Sequence, residues 1–310
     1  MDIKKLLLDS IKANKIFTFK YITYYLNCNE LNLYLSNFLE KYGRLPISFI
    51  KIIYDKTGTL SDKVFENLIP CFSYMSDFMR LLIRSRGYLN DTTIMKILDT
   101  SFYQEVLNYA MMHGVILELN EKVYDYALMS NYNAFKKIKY LDSLNAKRGE
   151  NVCERAASLG RVSMLEYLHK TGSPLSKNVC TASARSSLEC LKYAHENNCP
   201  WDEETCAVAA YYGRIIALKY AHKNGCDLGP MSFETSIILG KLNSMRYIYE
   251  HVPNIQLTES MMMLAIVNDR SECMKYLFEN GCPIKSFEFL RKAAELKNNK
   301  KCIEYLDSLQ

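Results

Sequence analysis

The sequence is short of the residues and runs that mark most catalytic, secreted and membrane proteins. It has one tryptophan, seven prolines, twelve glycines and five histidines in 310 residues. A 49% hydrophobic and 24% charged composition excludes extended disorder. Long apolar runs are missing too. The longest near the C-terminal half, Met261–Val267, falls far below the roughly 20 residues of a membrane helix, so no membrane partner is expected. The opening Met1–Asp9 has no apolar core of signal-peptide length. The expected setting is therefore a reducing cytoplasm, with the nucleus as the alternative.

Catalytic signatures are equally scarce. There is no Gly-x-Ser-x-Gly elbow, phosphate-binding loop, Gly-x-Gly-x-x-Gly or His-Glu-x-x-His. No catalytic or cofactor-binding residue is assigned, and an enzyme is not expected. Charge is close to balance, with 39 Lys and Arg against 34 Asp and Glu. Nine of those cations and five of those acids fall in residues 1–60. That basic start is interleaved with Phe17, Phe19, Tyr21, Tyr24 and Tyr25. It carries the alternative reading, nucleic-acid binding through the N-terminal segment. A nucleic-acid binder usually shows a basic stripe and a pI above about 9, which this chain does not reach.

What the chain has is a repeat. Tyr167-Leu168-His169-Lys170-Thr171-Gly172, Tyr193-Ala194-His195-Glu196-Asn197-Asn198 and Tyr220-Ala221-His222-Lys223-Asn224-Gly225 align at sight. Their leading position extends to Ile53, Leu82, Tyr109 and Tyr140 on one side and to Tyr247, Tyr276 and Tyr305 on the other. The ten positions are spaced 28 residues apart on average. A second column, Phe65, Met95, Tyr126, Cys153, Cys180, Cys206, Phe233, Met262 and Leu290, keeps the same phase.

Within one unit, Cys206, Ala209 and Ala210 fall at i, i+3 and i+4, one stripe of a short helix. Gly213 permits a tight reversal, and Ile216 with Tyr220 continues a second helical period. Gly225 sits where a helix wants a left-handed cap. Gly58, Gly87, Gly114, Gly172 and Gly281 hold the same slot, with Asn145 and Asn198 as substitutes. Each unit reads helix, turn, helix, loop. The array spans 46–310, after a divergent helical cap over 1–45.

The Thr205…Ala209-Ala210…Gly213 run and Asn-Gly-Cys at 224–226 and 280–282 resemble ankyrin repeats. His195-Glu196-Asn197-Asn198-Cys199-Pro200-Trp201-Asp202-Glu203 is similar to the divergent ankyrin proteins of giant, mimivirus-type DNA viruses. The unit is shorter than the family's, and the usual Pro-Leu-His is absent. The resemblance implies an all-α, ankyrin-like helix-turn-helix solenoid of about ten short repeats. It implies a non-enzymatic scaffold that binds a protein partner on its concave face, and a monomer is expected. A viral protein capturing a host factor in the host cytoplasm fits that description. Residues expected on the binding face are Glu154, Arg155, Arg185, Tyr211, Tyr212 and Glu234, with Trp201, Asp202 and Glu203 in the adjoining loop. Tyr, Trp and Arg are the usual hot-spot types.

Nine of the eleven cysteines keep register with the repeat, leaving Cys28 and Cys71. They read as small buried hydrophobes. Pairs such as His195 with Cys199 and His222 with Cys226 have tempting spacings. Equivalent sites in neighbouring repeats lie about 8–10 Å apart, too far to share an ion, so no metal is expected. His169, His195 and His222 share one slot near a helix end, where imidazole is expected to bond the last carbonyls of its own helix.

Overall fold

The computed structural model describes residues 3–13, 47–58, 60–69, 76–229 and 231–309, with scattered positions between 19 and 38. Most of the 1–45 segment, Cys28 and Cys71 lie outside the described residues. Among the described residues the chain is helical apart from two strands of two residues each, and none of its helices is long and apolar enough to cross a membrane. It divides into two compact units, Met1–Gly149 and Glu150–Gln310.

The first unit contains α1 (Ile3–Lys12), α2 (Ile47–Thr57), α3 (Asp62–Leu68), α4 (Asp77–Arg84), α5 (Asp91–Leu98), α6 (Tyr103–Met112), α7 (Glu121–Met129) and α8 (Ala134–Ser143). Short polar side chains start α3, α4, α5 and α7. Ser61, Ser76, Asn90 and Asn120 each accept a hydrogen bond from a first-turn backbone N–H, worth about 1 kcal/mol apiece. α3 packs on α5, and α5 on α7. Equivalent loops therefore run side by side in the same direction. Tyr88–Leu89 (β1) and Ile116–Leu117 (β2) accordingly pair in parallel register. Lys137, the one buried ammonium among the described residues, is held by Asp99 at 3.3 Å and by Ser130 Oγ at 2.8 Å.

The second unit is six helix pairs: α9 (Val152–Ser158) and α10 (Val162–Lys170), α11 (Lys177–Ser186) and α12 (Leu188–Glu196), α13 (Glu203–Tyr211) and α14 (Ile215–Lys223), α15 (Met231–Ile238) and α16 (Leu242–His251), α17 (Glu259–Val267) and α18 (Ser271–Glu279), and α19 (Phe287–Leu296) and α20 (Lys300–Asp307). Each first helix packs on the first helix of the next pair, and each second helix on the next second helix. The sequence dictates this. Val152, Cys153, Ala156 and Ala157 are buried together in α9, as are Thr205, Cys206, Ala209 and Ala210 in α13. A helix buried at i, i+1, i+4 and i+5 presents a double stripe to two neighbours. Small side chains there let the neighbours approach closely.

Both columns of left-handed residues are present. Gly172, Gly225 and Gly281 close second helices with φ of 98°, 87° and 79°. Gly160, Gly213 and Gly240 turn between helices at 66–67°. Asn133, Asp269 and Asn298, at 52–56°, fill that turn slot in pairs without glycine. Gly87 is the exception in its column, having no positive φ.

Two sequence readings shift. The first-helix anchor is Ile94 rather than Met95, and Tyr124 rather than Tyr126: the first member of each couple is fully buried, whereas Met95 is half-buried and Tyr126 exposed. The turns after α5 and α7 are longer than those of the second unit, so counting back from the tyrosine column lands too late. The histidines also differ from expectation. His169 Nδ1 shares a 2.9 Å hydrogen bond with the Tyr193 hydroxyl of the next pair, and His222 does the same with Tyr247 at 2.9 Å. Bonding to its own helix's carbonyl is instead seen at His113 and His251, whose Nδ1–H donates to Tyr109 and Tyr247.

Candidate interaction surface

The second helices of the second unit are joined by one device used repeatedly. The residue two places after each tyrosine meets the next tyrosine ring. His195 meets Tyr220 at 5.9 Å, Tyr249 meets Tyr276 at 6.2 Å and Phe278 meets Tyr305 at 6.2 Å. From Tyr193 to Tyr276 the residue just before the tyrosine also places a cation over the next ring. Lys192 lies over Tyr220, Lys219 over Tyr247, Arg246 over Tyr276 and Lys275 over Tyr305, at 5.3–5.9 Å. Each such contact is worth about 0.5–1 kcal/mol. Trp201 belongs to this ladder. Its ring stacks on His195 at 3.9 Å and 12°, and meets Tyr220 edge-on. Burial pushes the Tyr220 and Tyr247 phenols up. Burial, then the nearby His251, pulls His222 below the usual imidazole value.

The loop end of the first helices is acidic and locally satisfied. Asp202 caps α13 by accepting from Glu204 N at 3.1 Å. Lys177 lies 3.5 Å from Asp202 and 3.8 Å from Glu204. Glu154 is half-buried and accepts from Asn178 Nδ2 at 3.3 Å. Glu203 and Glu234 are exposed.

At the other end of α13, roughly 12 Å along its axis, the surface is apolar and basic. Tyr211 and Tyr212 are each 47% exposed, with ring centroids 4.9 Å apart, and Ile216 is 66% exposed. A groove between this pair and the preceding one is lined by Ser186, Leu188, Gly213, Arg214, Ile216 and Ala217. Arg214 Nε donates to the Arg185 carbonyl at 2.9 Å, and Arg270 Nε to the Ile238 carbonyl at 3.0 Å. These bonds satisfy carbonyls a helix end leaves open and fix both guanidinium groups at the turns. Lys241 lays its stem over Gly213, where an added Cβ would come within 3.0 Å of it.

The residues expected at the binding face thus fall into separate places. Arg185, Tyr211 and Tyr212 come together at the turn edge. Arg155 is exposed in the middle of α9. Trp201, Asp202 and Glu203 lie at the loop edge. Arg214, Lys241 and Arg270 were not singled out in the sequence, although each directly follows a turn glycine or Asp269, and Ile216, placed there on the helical period of Tyr220, is instead exposed.

The nine described cysteines are all buried. Burial pushes Cys273 and Cys302 up to about 11. Its hydrogen bond with Cys199, and then burial, push Cys180 up, and Cys206 is raised in the same way beside Cys226. Among the described residues no three His, Cys, Asp or Glu side chains are grouped to hold a metal ion. No protein-family model matches this chain, and no curated protein matches it.

Proposed function

We propose that the chain is an ankyrin-like repeat scaffold whose job is to hold a protein partner, in the manner of a viral protein capturing a host factor. The repeat period, the helix-turn-helix-loop unit and the paired Ala stripes support the repeat type. The observation carrying the binding function is the Tyr211, Tyr212 and Ile216 cluster, exposed on a rigid stack beside a groove. Large rigid aromatics offer contact area at low entropic cost, and Arg185 and Arg214 beside them add the third usual hot-spot type. Trp201 serves the stack. The test is capture of protein by the immobilised full chain and by a Tyr211→Ser, Tyr212→Ser variant. Capture lost in the variant, with melting unchanged, is the expected result. Undiminished capture by the variant removes the site, and no capture by either chain removes the scaffold reading.

A further inference from the structure

The turn edge of the second unit carries a regular chemical pattern. In three successive pairs an apolar side chain at the end of the first helix is followed three residues later by a cation. The couples are Tyr211 with Arg214, Ile238 with Lys241, and Val267 with Arg270. All three apolar members are exposed. None of the three cations forms an ion pair among the described residues. Arg214 and Arg270 are each tethered through Nε, a bond that does not use their terminal NH2 groups. Among acids close in sequence to the turns, Asp269 adjoins Arg270, Glu189 accepts from Ser187 Oγ at 2.8 Å, and Glu272 pairs with Lys275 at 3.1 Å.

We infer that this edge binds an acidic polyproline-II segment carrying one carboxylate and one apolar residue every third position. The inference rests on the scaffold reading above and names its partner. The spacing selects the conformation. Neighbouring helices in a stack lie about 8–10 Å apart. A polyproline-II chain returns to the same face every three residues, after about 9 Å. A β-strand returns after roughly 6.8 Å and an α-helix after roughly 5.4 Å, so neither keeps step. The charge selects the acid, since three unpaired cations in line complement three carboxylates. The apolar row selects a peptide over a nucleic-acid backbone, which would give Ile238 and Val267 nothing to contact. The groove lined by Leu188, Ile216 and Ala217, with Arg214 at its rim, takes the first apolar side chain.

The test uses the full chain and a fluorescent twelve-residue peptide of four Asp-Leu-Pro triplets, read by anisotropy at low and high salt. Wild type binds it, and affinity falls as salt rises. Lys241→Glu and Ile238→Ser each weaken binding by about tenfold or more, while Lys223→Glu at the loop edge leaves it unchanged. Among the described residues neither Lys241 nor Ile238 supplies a side-chain hydrogen bond, and unchanged melting of both variants checks that they keep the fold. Replacing Leu by Ser in the peptide weakens binding comparably, and replacing Asp by Lys abolishes it. Equal affinity for a single-stranded oligonucleotide, insensitive to Ile238→Ser, overturns the inference in favour of a polyanion site. A random displayed peptide library separates the two levels. Selected peptides without the triplet, binding elsewhere, overturn the inference and leave the scaffold reading standing. A library that yields no binder, together with no Asp-Leu-Pro binding, overturns both.

Discussion

His169 Nδ1 and the Tyr193 hydroxyl lie 2.9 Å apart across the boundary between two successive helix pairs, and His222 with Tyr247 repeats the contact two pairs further on. The imidazole spans the gap between second helices and ties one pair to the next. At the boundary between these two, the same slot holds His195, which Trp201 covers by stacking. Recurrence of histidine here records a packing solution.

The ladder makes stability depend on pH. Burial and the neighbouring His251 lower the His222 pKa from its ordinary 6.5, against a smaller opposing pull from Asp227. Its other near neighbours are the Tyr247 hydroxyl and ring. A depressed pKa means the unfolded chain binds the proton more readily. The His222 contribution is therefore fully present above about pH 6.5 and is lost as pH falls through the folded value. Melting followed from about pH 7.5 to 5.5 should show Tm falling, and His222→Gln should flatten that slope. An unchanged slope contradicts the assignment.

Trp201 and Tyr211 should separate stability from binding. Trp201→Ala removes a stacked and an edge-on contact, with an expected cost of about 1–2 kcal/mol in denaturant unfolding. Tyr211→Ala, at an exposed position, should change stability by no more than about 0.5 kcal/mol. Similar costs at both positions would mean that Tyr211 also holds the stack.

Two glycines with the same handedness should differ. Gly225 and Gly240 both have positive φ, at 87° and 67°. At Gly225 an added Cβ meets nothing within 4 Å, whereas at Gly240 it falls 2.6 Å from Arg270 Cδ. Gly240→Ala must displace the arginine and break its bond to the Ile238 carbonyl. It should cost about 1 kcal/mol more than Gly225→Ala, read from unfolding midpoints. Equal costs would show that Arg270 is not seated there.

Thiol chemistry offers an independent check on burial. Iodoacetamide near pH 8 should leave the nine described cysteines unmodified in the native chain and label them once it is unfolded, as peptide mass mapping would show. Cys273 and Cys302, raised to about 11, should be among the slowest. Rapid native labelling at Cys180 or Cys206 would mean that the first-helix stripe opens readily.

Periodicity made the helix pairs legible, because one residue type recurred where the same neighbour recurred. Gly160, Gly213 and Gly240 announced the turns, since a left-handed backbone favours glycine. Asn133, Asp269 and Asn298 made the same turn without announcing it, because short polar side chains tolerate that region but also occur everywhere else. Met95 and Tyr126 misled because turn length varies, and counting from one column cannot see a residue inserted between columns. The basic track was hidden for a related reason. Arg214, Lys241 and Arg270 are ordinary surface cations until the turns are stacked and their register becomes visible. Trp201 and Tyr211 stand ten residues apart in sequence and looked like one patch. A helix between them puts them at opposite ends of the unit.

The central claim is that a protein partner docks on the turn edge. It is tested most directly by a photo-crosslinking side chain placed at Tyr212 in one chain and at Lys223 in another, each irradiated with a lysate that supplies the partner. The account predicts a covalent adduct from position 212, competed by the Asp-Leu-Pro peptide, and none from position 223. An adduct from 223 with none from 212 would contradict it.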